Sequence, residues 1–85
     1  MTLRDGGKPA FRVGPLAIWT GFGALDGALE ISILVHDSAI AVLEPDTAIA
    51  HVHVVEANRE RLLRIADRKY QEVKGDPVRV TASDL

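Results

Sequence analysis

The chain has 85 residues, with ten basic against twelve acidic side chains for a net charge of −2, 47% apolar residues and no cysteine. A chain of this length makes one domain that buries roughly 60 to 65% of its unfolded surface. The missing cysteines exclude disulfides, thiolate zinc sites and thiol catalysis and fit a reducing compartment, and the near-balanced charge excludes a whole-molecule field that would gather nucleic acid or anionic membrane.

The first ten residues, MTLRDGGKPA, hold two glycines and a proline with little apolar content, and read as a flexible arm ahead of a single domain over 11–85. They lack the apolar run of a signal peptide. No stretch reaches the roughly 18 apolar residues of a membrane span, so a cytoplasmic protein is expected. Phe11 and Val13 can tack down the end of the arm. Leu16 to Phe22 alternates as a strand behind Pro15, and Ala28 to His36 alternates as its partner. Asp26-Gly27 between them is the strongest short-range hairpin signal, because both residues tolerate the positive φ of a tight turn. A two-residue Asp26-Gly27 loop sets Leu25 opposite Ala28, Phe22 opposite Ile31, Thr20 opposite Ile33 and Ile18 opposite Val35 on one face. The other face then receives Gly23 with Glu30, Gly21 with Ser32 and Trp19 with Leu34.

Asp37 or Ser38 is expected to cap a short helix over 39–43 that ends before Pro45. Asp46 to Lys74 contains no glycine and no internal proline. At 3.6 residues per turn, Ala48, Val52, Val55, Leu62, Leu63, Ala66, Tyr70 and Val73 form one apolar stripe, which predicts an amphipathic helix capped by Asp46. Helix is expected over 47–55 as well, although the β-branched run there also alternates and leaves a strand open. Helix is expected over 56–73. Gly75 and Pro77 stop it, and Val78, Val80 and Ala82 alternate as a last strand.

The LDG hairpin, the segment EANRERLLRIADRKYQ and the ending VRVTASDL together resemble the bacterial domain-of-unknown-function family 1488 over most of the chain from about Leu16 to Leu85. The family pattern is a DG hairpin, a short helix, a long helix with an arginine and an RK pair, and a closing strand near a T-x-A-D ending. Here these fall on Asp26-Gly27, Ala39-Ile40, Arg59, Arg68-Lys69 and Thr81 to Asp84. The chain departs from the family in having Phe11 where an aromatic, often Trp, is usual, and Ile33-Leu34-Val35-His36 where a Cys-x-Ile-Ser run is usual. The resemblance implies a small bacterial α+β protein and carries no assigned activity.

Residues that invite a chemical reading have structural alternatives. His51 and His53 stand about 200° apart on a helix and would share a metal ion only on a strand. His36-Asp37 as an acid/base pair lacks a marked nucleophile, and helix capping explains Asp37 more simply. Gly21, Gly23 and Gly27 do not have phosphate-loop spacing and sit within a hairpin. His53, Arg61, Arg64 and Arg68 form a basic ridge opposite the apolar stripe, suited to phosphates. Glu60 and Glu72 at i,i+4 spacing suggest instead an ordinary solvated face. Arg59 falls inside the stripe and needs an acidic partner, with Glu56 or Glu30 the candidates; an anion or partner site at that point is the sharper alternative.

The expected architecture is thus α+β, an antiparallel sheet of the hairpin plus the C-terminal strand, covered on one face by one long and one short helix. No catalytic residue, cofactor or metal ligand is expected. The favoured role is a homodimeric structural or protein-interaction module meeting through Trp19 and Leu34, unless the arm covers that pair. A nucleic-acid-associated protein using Arg61, Arg64 and Arg68 is the alternative, and a ligand binder around Arg59 the third.

Overall fold

The computed structural model describes residues 2–14 and 18–85. Leu16 and Ala17, expected to open the first hairpin strand, lie outside the described residues. The described residues form a mixed α+β fold in which a five-stranded, mostly antiparallel sheet packs against three helices. The strands are β1 (Leu3–Asp5), β2 (Phe11–Arg12), β3 (Trp19–Asp26), β4 (Leu29–His36) and β5 (Val78–Val80). The helices are α1 (Asp37–Leu43), α2 (His51–Ala57) and α3 (Arg59–Val73).

The hairpin forms one residue further along each strand than expected. Asp26 pairs with Leu29, so Gly27 and Ala28 make the loop. Gly27 takes φ +61° and Ala28 does not, the pattern of a turn with glycine at its first central position. Phe22 therefore faces Ile33, Thr20 faces Val35, and Ala24 faces Ile31. The shift moves both partners together, so Thr20, Phe22, Ile31, Ile33 and Val35 stay on the inner face, whereas Leu25, Ala28 and Ile18, also expected there, lie outside the core. Even-numbered residues of β3 point inward, which makes Ala24 a core residue and turns Leu25 outward. On the outer face Trp19 lies opposite His36, and Leu34 opposite Gly21, so Trp19 and Leu34 are diagonal neighbours rather than a facing pair.

The N-terminal segment is part of the sheet rather than an arm outside it. β1 and β2 both run antiparallel to β3 along its free edge, β1 beside Ala24 to Asp26 and β2 beside Thr20 and Gly21. Leu3 is only 1% exposed, and its amide, like that of Thr2, donates to Asp67 Oδ1 of α3 (2.8 and 3.0 Å). Burial of Leu3, the strand pairing to β3 and the two bonds to Asp67 act together against the entropy of ordering a glycine-rich segment.

The expected long helix is broken. Asn58 (φ −113°, ψ 14°) separates α2 from α3, and its side-chain amide donates to the Val54 carbonyl (2.8 Å). That bond offers the backbone an alternative to continuing the helix. Residues 51–57 are helical, which resolves the helix–strand ambiguity from His51 onward. Asp46 bonds the Ala48 amide (3.0 Å) but caps no helix, because α2 begins only after Ala50. Changing direction at Asn58 alters the stripe: Val54 and Ile65 are buried, whereas Ala48 and Val73 are exposed.

At α1 the cap is His36, whose Nδ1 accepts from the Ser38 amide (3.0 Å), in place of Asp37 or Ser38. β5 joins β4 in parallel, with Val78 beside Ile33 and Val80 beside Val35; the path from β4 through all three helices allows a crossover that a hairpin would not. Thr81 and Asp84 then form a reciprocal capping box around the turn Ala82–Asp84, and Lys69 Nζ of α3 donates to Asp84 Oδ2 (2.8 Å). The core lies between the helices and one face of the sheet, around Phe22, Ile33, Val35, Val55, Leu62, Ala66 and Val80.

Candidate functional site

Two places concentrate the residues singled out from the sequence. The first is Arg59, at the start of α3, with 11% of its side chain exposed. Its guanidinium grips Asp5 of β1 with two bonds, Nε to Oδ2 and Nη2 to Oδ1 (2.8 Å each), and Nη1 donates to Glu56 Oε1 of α2 (2.6 Å). The guanidinium carbon sits 4.9 Å from the ring centre of Phe22, a cation–π contact over the inner sheet face. Glu56 Oε1 also accepts from the Ala10 amide (2.7 Å), just before β2. One arginine thus links two helices to both N-terminal strands. Glu30, the other candidate partner, lies on the outer face near Lys8 (3.9 Å). An open hollow runs past Asp5, Gly7, Lys8, Pro9, Glu56 and Arg59. Asp5 and Glu56 already occupy the Arg59 guanidinium, and with Lys8 the charges of the lining sum to zero, so the hollow offers no net positive charge to an anion.

The Arg59 bonds hold the Asp5 carboxyl below its ordinary value, against a smaller opposing effect of burial. Asp37, whose Oδ1 accepts from Arg12 Nη1 (2.9 Å), is lowered chiefly by that bond. Burial pushes Asp84 upward, but Lys69 and the Thr81 amide outweigh it and leave it lowered. Tyr70 of α3 donates to Asp26 Oδ2 at the end of β3 (2.6 Å), which raises the phenol. The sequence marked neither Asp5 nor Asp26 as a partner. Their only signal was an acid on the inward-facing parity of a strand, and Asp5 lay in a segment not read as a strand.

The second place is the outer face of the sheet. The β2–β3 register sets Phe11 beside Gly21. A Cβ on Gly21 would come within 2.9 Å of the Phe11 ring and 3.4 Å of Leu34, so glycine lets that ring lie down over the strand. Trp19 packs edge-on against His36, centroids 4.9 Å apart. Phe11 thus lies across Gly21 next to Leu34, and Trp19 and Leu34 are half-buried. Phe11 is 52% and Val13 37% exposed.

The remaining candidates stay apart. Arg61, Arg64 and Arg68 are exposed along α3, and no hydrogen bond or ion pair joins them to Glu60, Glu72 or any other described residue. His53 is exposed, and His51 Nδ1 lies 3.4 Å from Asp37 Oδ1. Among the described residues no group of three or more His, Asp or Glu side chains is arranged to hold a metal ion, and no helix is long and apolar enough to cross a membrane. No family model matches the chain, and no curated protein or solved structure shows significant similarity to it.

Arg59→Met keeps an apolar stem over Phe22 and removes the charge. Because Asp5 and Glu56 keep 43% and 44% of their side chains in solvent, water takes over part of their bonding, and the expected loss is about 1 to 2 kcal/mol, read from the urea midpoint. An unchanged midpoint would show that the clamp contributes nothing.

The lowered aspartates also fix the sign of the acid response. A carboxyl whose folded pKa lies below its unfolded value stabilises above the unfolded value and loses that contribution as pH falls through the folded one. Thermal stability should therefore be flat from neutral pH to about pH 5 and decline below about pH 4. Asp5→Asn should be less stable at neutral pH and show a shallower acid decline. Parallel pH profiles for the two proteins would contradict the assignment.

Proposed function

We propose that this chain is a small cytoplasmic, homodimeric structural or protein-interaction module of bacterial type, related to domain-of-unknown-function family 1488 by the residues named above. The observation that carries the reading is the uncovered outer sheet face. The helices occupy one side of the sheet, and on the other Phe11 and Val13 are exposed beside Trp19 and Leu34, which are half-buried, with no further element packed on that face among the described residues. Contiguous apolar surface of this kind marks an interaction site more often than a solvated one. The middle of the face is free of charge, and its charged groups, Arg4, Lys8, Glu30 and Arg79, lie toward its margins, matching an interface core with a polar rim.

Sedimentation of the wild-type chain should give a dimer at high micromolar concentration. Trp19→Lys combined with Leu34→Glu should give a monomer with unchanged helical circular dichroism, since neither side chain enters the core. A wild-type monomer, or a double variant that still dimerises, would overturn the reading.

One observation supports nucleic-acid association as a second reading. Arg61, Arg64 and Arg68 project from successive turns of α3 without carboxylate partners, which leaves three guanidinium groups available to phosphates. Arg61→Glu, Arg64→Glu and Arg68→Glu together should leave stability nearly unchanged, because isolated surface charges contribute little. The same variant should abolish salt-sensitive retention on heparin. Absence of retention of the wild type at low salt would end this reading.

A further inference from the structure

We infer that two copies meet with their β3 strands antiparallel, so that Trp19 of each enters a hollow over the partner subunit's Gly23. The inference rests on the homodimer reading and adds which residue fills which site. The hollow has a volume of about 230 Å³ and is walled by Pro9, Phe11, Leu25 and the Lys8–Glu30 pair. Its floor is Gly23, where a Cβ would meet nothing within 4 Å. This glycine differs from Gly21, two residues or about 6.6 Å along the same face, whose space the Phe11 ring already fills. The volume falls below the roughly 300 to 1,000 Å³ of small-molecule pockets. It suits a single inserted side chain, and a tryptophan anchored in a desolvated pocket is the commonest form of an interface hot spot.

Self-complementarity identifies the occupant as a second copy. Trp19, half-buried with its ring edge-on to His36, and the hollow lie on one strand, four residues or about 13 Å apart. A two-fold axis lying between the sheets and crossing the strands above Gly21 exchanges them, so each Trp19 meets the hollow of the other copy. The same operation sets Phe11 and Leu34, which share the row of Gly21, against their mates. Arg79 ends that row on the edge strand β5, where its guanidinium reaches water. β3 and β4 of eight residues each, with the shorter β1, β2 and β5, give the face a footprint on the order of 400 Å². That is below the roughly 800 Å² per partner of a standard interface, so the dimer belongs to the weaker, concentration-dependent class.

The chain has a single tryptophan, so its fluorescence reports this residue alone. Dilution of the wild type through its dissociation range should shift the emission to longer wavelength. Gly23→Val fills the floor with a strand-favouring residue and has no neighbour to clash with; it should preserve the melting temperature and weaken dimerisation at least about tenfold. Leu25→Arg, at the wall of the hollow and outside the core, should weaken it independently. A dimer whose emission is unchanged on dilution, or one that both variants leave at wild-type affinity, overturns the insertion and leaves the dimer standing. A wild-type chain that is monomeric at high micromolar concentration overturns both.

Discussion

The Arg59 guanidinium is the interaction on which the arrangement of the other parts depends. It stands at the junction of α2 and α3, holds Asp5 of β1 with two bonds and shares Glu56 with the Ala10 amide. These contacts fix the beginning and the end of the β1–β2 connection. That connection carries Lys8 and Pro9 and delivers Phe11 to the outer face. An arginine is suited to the position because its planar fork satisfies two carboxylates at once while its carbon stem and π-face pack on Phe22. A lysine would supply a point charge and could not hold both strands in one geometry.

From this follows a division of labour between the two sides of the sheet. The inner side is closed by apolar packing and by polar ties at its periphery: Asp67 to the Thr2 and Leu3 amides, Tyr70 to Asp26, Lys69 to Asp84. Each tie links α3 to a different edge or end of the sheet, so α3 is held at several points as well as by its buried face. The outer side is built from β-strand residues and two glycines, and among the described residues no helix packs on it.

The inner face was legible because alternation has a period of two and survives a register error that shifts both strands together. Phe22, Ile31, Ile33 and Val35 were assigned to the right side even though every pairing moved by one residue on each strand. The loop position was not legible, since Asp26-Gly27 and Gly27-Ala28 both place a glycine where positive φ is needed. The position of Arg59 inside the apolar stripe was visible from helical spacing, and so was Glu56. Asp5 was not, because a short strand paired at a sheet edge leaves only one apolar residue, Leu3, as its mark. The break at Asn58 was hidden for a related reason: asparagine tolerates a helix interior, and its competing bond to Val54 depends on packing that the sequence does not display. The parallel addition of β5 was equally hidden, as strand direction leaves no trace in a three-residue alternation.

The N-terminal strands are held in place by Arg59, and amide hydrogen exchange tests this most directly. In the wild type the Gly6 amide bonds the Gly23 carbonyl and the Val13 amide bonds that of Trp19 (3.0 and 3.2 Å), so both should be protected. In Arg59→Met these two amides should exchange markedly faster, while the amides of the β3–β4 ladder keep their protection, because β1 and β2 detach before the hairpin opens. Equal protection of Gly6 and Val13 in the two proteins would contradict the claim that one arginine holds the N-terminal strands in place.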